Sequence, residues 1–260
     1  MGDVSLQCLG VGDGWPCADR NHSAFLYRLG RTRVLIDCGE SVSRTLRAAG
    51  ASPDLIDHIL LSHLHSDHYG GLFMLLQGYW LAPRRKDLTI HLPADGLQPI
   101  RQMLDAAMIF DEMLQYRLAF ERIQAGEPIR AGRVKVTPFH TTHLETLRQA
   151  HQTKHPLRFE AFSFLLESGK RRIGHSADLG MPEDLDPLLE KPLDLLVCEL
   201  AHFTPQALFR YLRGKPIKRV VFMHLSDRHW RNLRKLGALA KRSLGGIPFH
   251  FARDGEEFSL

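Results

Sequence analysis

Between a short apolar run, Ile56 to Ser62, and a glycine pair, Gly70-Gly71, the chain reads His63-Leu64-His65-Ser66-Asp67-His68-Tyr69. In an extended segment residues two apart share a face, so His63 and His65 present their imidazoles to one side while Leu64 turns toward the core. Asp67 and His68 follow where the chain leaves the strand. There the backbone can rotate them to the opposite side and supply a second ion, and the two glycines let the next helix start close by. The motif therefore demands a strand that hands over directly to a helix. A lone His-x-His pair is more often ordinary polar capping, but His-x-His-x-Asp-His at such a junction reads as a metal site. Imidazole and carboxylate donors without thiolates suit Zn²⁺ in an open catalytic site, and Mn²⁺ or Fe²⁺ accept the same donors.

Histidine is also in excess, at 15 of 260 residues, which raises the question of how many others converge on this motif. The rest of the composition, 24% charged and 44% hydrophobic, excludes disordered, collagen-like and low-complexity chains. No repeat and no Pro/Gly/Ser-rich linker interrupts the sequence, so a single domain over 1–260 is expected. Cys8, Cys17, Cys38 and Cys198 show no CxxC spacing and read as reduced thiols of a cytoplasmic protein. Met1 to Gly10 lacks the basic and apolar regions of a secretion signal, and position six is Leu where a myristoylation signal wants Ser or Thr. The longest apolar stretch, Leu72 to Leu81, falls short of the ~20 residues that span a bilayer, so no membrane association is expected. A net charge of +5 is compatible with an anionic substrate without requiring one.

Strand signals recur at Val4 to Leu9, Ala24 to Tyr27 and Arg33 to Asp37, which suggests an antiparallel meander. Ser41 to Ala49 and Gly71 to Trp80 carry helical spacing, Leu88 to Leu92 reads as a strand, and Leu97 to Ile123 reads as a long, broken helix. Strands return at Val134 to Pro138, Ala161 to Leu166, Arg172 to Gly174, Leu195 to Glu199 and Val220 to Met223. The turn Arg253-Asp254-Gly255-Glu256 predicts a terminal hairpin. The β segments fall into two groups, each followed by helices, a pattern that two packed sheets with helices outside would satisfy.

His63-Leu64-His65-Ser66-Asp67-His68 resembles the signature of the metallo-β-lactamase fold superfamily. Arg20-Asn21-His22-Ser23, Ile36-Asp37-Cys38-Gly39-Glu40 and the stretch from Asp57 to Leu72 are similar to ribonuclease Z. The resemblance implies a four-layer αββα sandwich of two mixed β-sheets flanked by helices, with a dinuclear metal site at its edge. It also asks for three further ligands. His143 matches the first, with His140 as its competitor; Asp178 in Ile173-Gly174-His175-Ser176-Ala177-Asp178 matches a bridging aspartate; His224 after Val220 to Met223 matches the last. One ion would then take His63, His65 and His143, the other Asp67, His68 and His224, with Asp178 shared. The family often dimerises, so a homodimer is implied.

The implied function is a dinuclear hydrolase, most naturally of a phosphodiester, with nucleic acid among the substrates. Hydrolysis of another ester, a thioester or lactone, is the alternative, and a non-catalytic metal-binding module the outside one. Two departures from ribonuclease Z stand out. Its His-Glu-Ala-Thr motif is matched by Cys198-Glu199-Leu200-Ala201, with Glu199 kept and His202 three residues on, able either to replace the missing histidine in proton transfer or to cap the helix near Thr204. The glycine- and proline-rich tRNA-gripping arm is absent, and Leu144 to Glu160 reads instead as a basic helical segment that could lid the site. The basic run from Arg210 to Arg242 reads foremost as a solvated helix face, with a phosphate-backbone patch as the other reading.

Overall fold

The computed structural model describes residues 4–260, so the reading of Met1-Gly2 lies outside the described residues. Strands β1 (Val4–Gly10), β2 (Ala24–Leu29) and β3 (Thr32–Ile36) pair antiparallel, β2 and β3 through a tight turn at Gly30-Arg31 and β1 and β2 through the longer loop 11–23. Beyond β3 the connections lengthen and carry helices, and the pairing becomes parallel. Helix α1 (Val42–Ala48) leads to β4 (His58–Leu60), α2 (Ser66–Tyr69) and α3 (Leu72–Leu81) lead to β5 (Leu88–Leu92), and α4 (Leu97–Ala106) leads to β6 (Leu118–Arg122).

The second half repeats this plan. Strands β7 (Ile129–Ala131), β8 (Val134–His140), β9 (Phe162–Ser168) and β10 (Arg171–His175) are antiparallel, with α5 (Glu145–His151) between β8 and β9. Then β10 is followed in parallel by β11 (Leu195–Glu199), β12 (Val220–Met223) and β13 (Phe249–Phe251). Helices α6 (Asp186–Leu189), α7 (Pro205–Leu212), α8 (Asp227–Arg231) and α9 (Leu233–Ser243) fill those crossovers, and β14 (Glu257–Ser259) closes the chain. The sheets order as β14-β1-β2-β3-β4-β5-β6 and β13-β12-β11-β10-β9-β8-β7.

Both faces of each sheet are buried, which is why the strands read as near-continuous apolar runs. Leu6, Phe25, Val34 and Leu60 meet Val136, Phe164, Val197 and Met223 between the sheets. Leu35, Ile59 and Ile90 pack outward with Leu46, Leu76 and Ile100 of the first helices, and Leu196, Cys198 and Phe222 with Leu208, Phe209 and Leu236 of the last ones. The result is the αββα sandwich. Among the described residues no helix is long and apolar enough to cross a membrane.

Three local expectations are corrected. The Asp254-Gly255 turn does not join a hairpin: β13 pairs with β12 in one sheet and β14 with β1 in the other, so the turn crosses between sheets. Its Asp254 carboxylate accepts from the Val11 and Asn21 amides and so pins the loop that follows β1. Leu97 to Ile123 is not helical throughout; after α4 it becomes the edge strand β6, whose outer end is exposed and so shows no clean alternation. In Leu144 to Glu160 only Glu145–His151 is α-helical.

The consequence for function is positional. Strands β3, β4, β8, β10, β11 and β12 all point their carboxyl ends at one edge of the sandwich, where α/β folds hold ligands.

Candidate metal centre

Each polar group at that edge sits just past the end of a strand. Asp37 follows β3, His63, His65, Asp67 and His68 follow β4, His143 follows β8, Asp178 follows β10 and His224 follows β12. Of six non-glycine residues with positive φ among the described ones, three are here: Asp37 (61°), Ala177 (46°) and His224 (54°). Such backbone costs ~1–3 kcal/mol at each residue and turns the chain abruptly into the cleft. Close approach is secured by glycine. A Cβ on Gly39 would stand 2.3 Å from the Asp67 carbonyl, and one on Gly71 would stand 2.1 Å from that of Gly39.

The seven residues assigned ligand roles lie together in two clusters. His63, His65 and His143 form one, and Asp67, His68, Asp178 and His224 the other; within each, the donor atoms lie within 4.8 Å of one another. A third grouping, His143, Asp178 and His202, overlaps both. Asp178 Oδ2 lies 3.3 Å from His68 Nε2, 3.4 Å from His224 Nε2, 3.7 Å from His143 Nε2 and 3.8 Å from His63 Nε2. Asp67, at the rim, reaches His68 Nε2 at 3.2 Å.

The outer ring nitrogens identify what the inner ones are for. His68 Nδ1 donates to Asp37 Oδ2 at 2.7 Å, His63 Nδ1 to Ser62 Oγ at 3.0 Å, and His224 Nδ1 to Ser23 Oγ at 3.2 Å. Ser62 can accept because its own hydroxyl donates to Asp37. These partners fix the tautomers and leave each Nε2 as an acceptor aimed inward. His63 Nε2, His68 Nε2 and Asp178 Oδ1 are buried with no hydrogen-bond partner. Buried acceptors facing one another and two carboxylates need a cation, so the donor set fits divalent metal ions.

The pKa values express the same crowding. Burial and the His68 charge push His63 well below its ordinary value, and burial brings His143 down to about 4. Burial also disfavours the His68 cation, yet the Asp178 and Asp37 carboxylates hold its pKa well above the usual imidazole range, so these carboxylates favour a positive charge at Nε2, whether a proton or a metal ion takes that place. For Asp67, burial works against the anion, but His68 and His224 hold it down at about 2.

The other histidines close to these runs in sequence separate clearly. His140 is exposed and stacks on Phe162 outside both clusters. His175 is buried behind the site, its Nδ1 2.8 Å from the Tyr27 hydroxyl. His202 returns to the site: its Nδ1 donates to Glu199 Oε1 at 2.8 Å and its Nε2 lies 3.8 Å from Asp178 Oδ2. Burial would lower its pKa, but Glu199 raises it to about 9. Glu199 is fully buried and also accepts from the Leu179, Ala201 and His202 amides, which fills its acceptor sites. Cys198 faces the outer, helix-covered core, so no group at that position in the strand could reach the clusters.

Sequence reasoning assigned no role to Asp37, Ser62, Ser23 or Asp184. Asp184 Oδ2 binds the Thr142 amide and hydroxyl and the Gly180 amide, tying the His143 loop to the Asp178 loop. For Asp37, the two Ser62 bonds and the His68 contact set the expected cost of removal. Asp37→Ala strands a buried imidazole, and breaking a buried pair costs ~3–5 kcal/mol. At ~2–4 °C per kcal/mol the melting temperature should fall by about 10 °C, and metal affinity by ~10–100-fold. Calorimetry and metal titration check both; a melting temperature within 2–3 °C of wild type, as an order of magnitude, would refute the buried-pair account.

Comparison with known proteins identifies the family and the fold. The family described as a beta-lactamase superfamily domain matches residues 32–225. The ribonuclease Z of Bradyrhizobium diazoefficiens is 31% identical over 182 residues, covering 69% of this chain and 56% of that protein. The chain spans about half the length of the relatives it matches. Among solved structures, the metallo-beta-lactamase fold protein YhfI from Bacillus subtilis superposes with a TM-score of 0.78 at 18% identity, covering 99% of this chain and 100% of that one. Human tRNase Z, short form, superposes with a TM-score of 0.75 at 20% identity, covering 98% and 99%. At such identities the structural likeness establishes the fold alone.

Proposed function

The chain belongs to the beta-lactamase superfamily, and on that premise we propose that it is a dinuclear metal-dependent phosphodiesterase of the ribonuclease Z type. The observation that carries this reading is the position of Asp178, whose Oδ2 lies within 4 Å of the Nε2 atoms of His63, His68, His143, His202 and His224. One carboxylate oxygen can thus serve two neighbouring ions. His63, His65 and His143 would hold one, Asp67, His68 and His224 the other. Donors of this kind suit zinc, and manganese or iron as well. Two such ions supply Lewis acidity to a water and to the phosphoryl oxygens.

The chain's own residues do the remaining work. Asp67, kept anionic at the rim, accepts a hydrogen bond from the attacking water and orients it. His202 holds a proton at Nε2 for the departing oxygen, while Glu199 fixes its ring and tautomer through Nδ1. Glu199 is a positioning residue, because its own oxygens are already satisfied within the fold.

The test is turnover by purified, metal-loaded protein of bis(p-nitrophenyl) phosphate, a tRNA precursor and a thioester. Phosphodiester cleavage that a chelator abolishes and added metal restores is the expected result. No cleavage of any phosphodiester by protein shown to contain metal would sink the proposal, and cleavage of the thioester alone would move the enzyme to another ester class.

A further inference from the structure

Two histidines outside the clusters of the metal centre, His58 and His91, face one another on the first sheet. Their placement follows from the pleat. Along β4 and β5, Ile59, Leu88, Ile90 and Leu92 turn outward to the helices, so His58, Thr89 and His91 turn inward, toward the second sheet. On β6 the same alternation sends Leu118 and Phe120 outward and Glu121 inward, directly opposite His91. The next inward position of β4 is Leu60, part of the apolar core between the sheets. Beyond it the core gives way to a polar cavity of about 290 Å³, lined by these inward groups and by Gln124, Glu127 and Ile129 of the crossover to β7.

His58 Nδ1 and His91 Nε2 are 3.2 Å apart. Two imidazole nitrogens bound to one tetrahedral zinc ion at its ordinary bond length stand about 3.3–3.4 Å apart, so the pair is already set to the bite of a metal. The other nitrogen of His91, Nδ1, lies 3.4 Å from Glu121 Oε2. A carboxylate behind a ring nitrogen keeps the proton there and leaves Nε2 with its lone pair, the support that metal-bound histidines receive. Size and charge agree. The cavity lies just below the ~300–1,000 Å³ range of organic-ligand sites, but it holds an ion and several waters at ~30 Å³ each. Glu121 and Glu127 line it against Arg122 and Arg130, and Arg122 is drawn to Glu160 at 3.6 Å, which leaves one negative charge in excess.

From these features we infer that His58 and His91 form a further metal site, separate from the metal centre, for one divalent transition-metal ion, with zinc the ion whose geometry they match. His58 then carries its proton at Nε2 and ligates through Nδ1. Glu127 is exposed in the turn before β7 and lines the same cavity, so rotation of its side chain supplies a third ligand, and water completes the shell. The ion ties two strands of the first sheet to the segment by which the chain crosses into the second. Its role is structural, with no reaction attached to it.

Calorimetric titration of the full chain with zinc tests this. The site has two fixed donors where the two clusters of the metal centre offer seven, so it fills after the centre. One further equivalent of zinc is expected once the centre is full. The melting temperature should rise with it, by about 5–10 °C at free zinc about a hundredfold above the dissociation constant. Glu121→Ala, at an exposed side chain, should weaken that equivalent ~10-fold, the order for losing the partner of a ligand, and His58→Gln, which loses the ligand itself, should weaken it more. His151 and His155, an exposed pair at the end of α5, are the rival for loosely held zinc, and His151→Gln/His155→Gln should change neither affinity nor melting temperature. Absence of a further equivalent in the wild type would leave His58 and His91 as a hydrogen-bonded pair and overturn the inference. So would a further equivalent that both His58→Gln and Glu121→Ala leave intact, or one that is lost with His151 and His155.

Discussion

Asp178→Ala is expected to abolish phosphodiester hydrolysis, with a loss of at least ~10³-fold, and to lower the bound metal at both positions. The carboxylate is buried at the centre of five imidazoles, so its removal withdraws the shared negative charge from both clusters at once. A thousandfold loss corresponds to ~4 kcal/mol of transition-state stabilisation, the order attributed to a single well-placed electrostatic group. Asp67→Ala is a sharper control. That side chain lies at the rim in one cluster only, so activity should fall while metal content stays closer to wild type. Metal analysis of the two folded variants separates the roles. If Asp178→Ala kept full metal content and activity within tenfold of wild type, as an order of magnitude, the shared-ligand account would be wrong.

What was legible in the sequence follows from where chemistry is local. His63, His65, Asp67 and His68 are contiguous, and the two-residue period of a strand already says which pair faces together. His143, Asp178 and His224 are far apart in sequence and could be placed only by resemblance, although each closes an apolar run. Asp37, Ser23 and Ser62 were not legible as partners of the histidines. A polar residue at a strand end looks the same whether it caps a turn or orients a ring, and only the folded contacts distinguish them. The Asp254-Gly255 turn misled for a similar reason. Its φ-tolerant glycine suits a reversal of direction, but the destination of the next strand, β1 rather than β13, is set by long-range pairing. Edge strand β6 was lost inside a helical reading because an edge half open to water lacks the alternation of a buried strand.

His202 was the residue on which sequence left two meanings open, and its substitution has the most informative expected outcome. With Nδ1 committed to Glu199, the imidazole presents Nε2–H toward Asp178 and the clusters. A positioned acid of this kind contributes ~10²–10⁴-fold, but only where the leaving oxygen needs its proton. A ribose alkoxide is a poor leaving group; p-nitrophenolate leaves readily without help. His202→Ala should therefore lose ~10²–10⁴-fold in kcat on an oligonucleotide or tRNA precursor and less than about tenfold on bis(p-nitrophenyl) phosphate. Glu199→Gln should follow the same split more weakly, because it acts through the histidine ring. A helix cap alone predicts a different pattern: the α7 cap is Thr204, whose hydroxyl accepts from the Ala207 amide without His202. Equal losses on both substrates would mean that His202 supports the site as a whole, and the proton-donor role would then have to be abandoned.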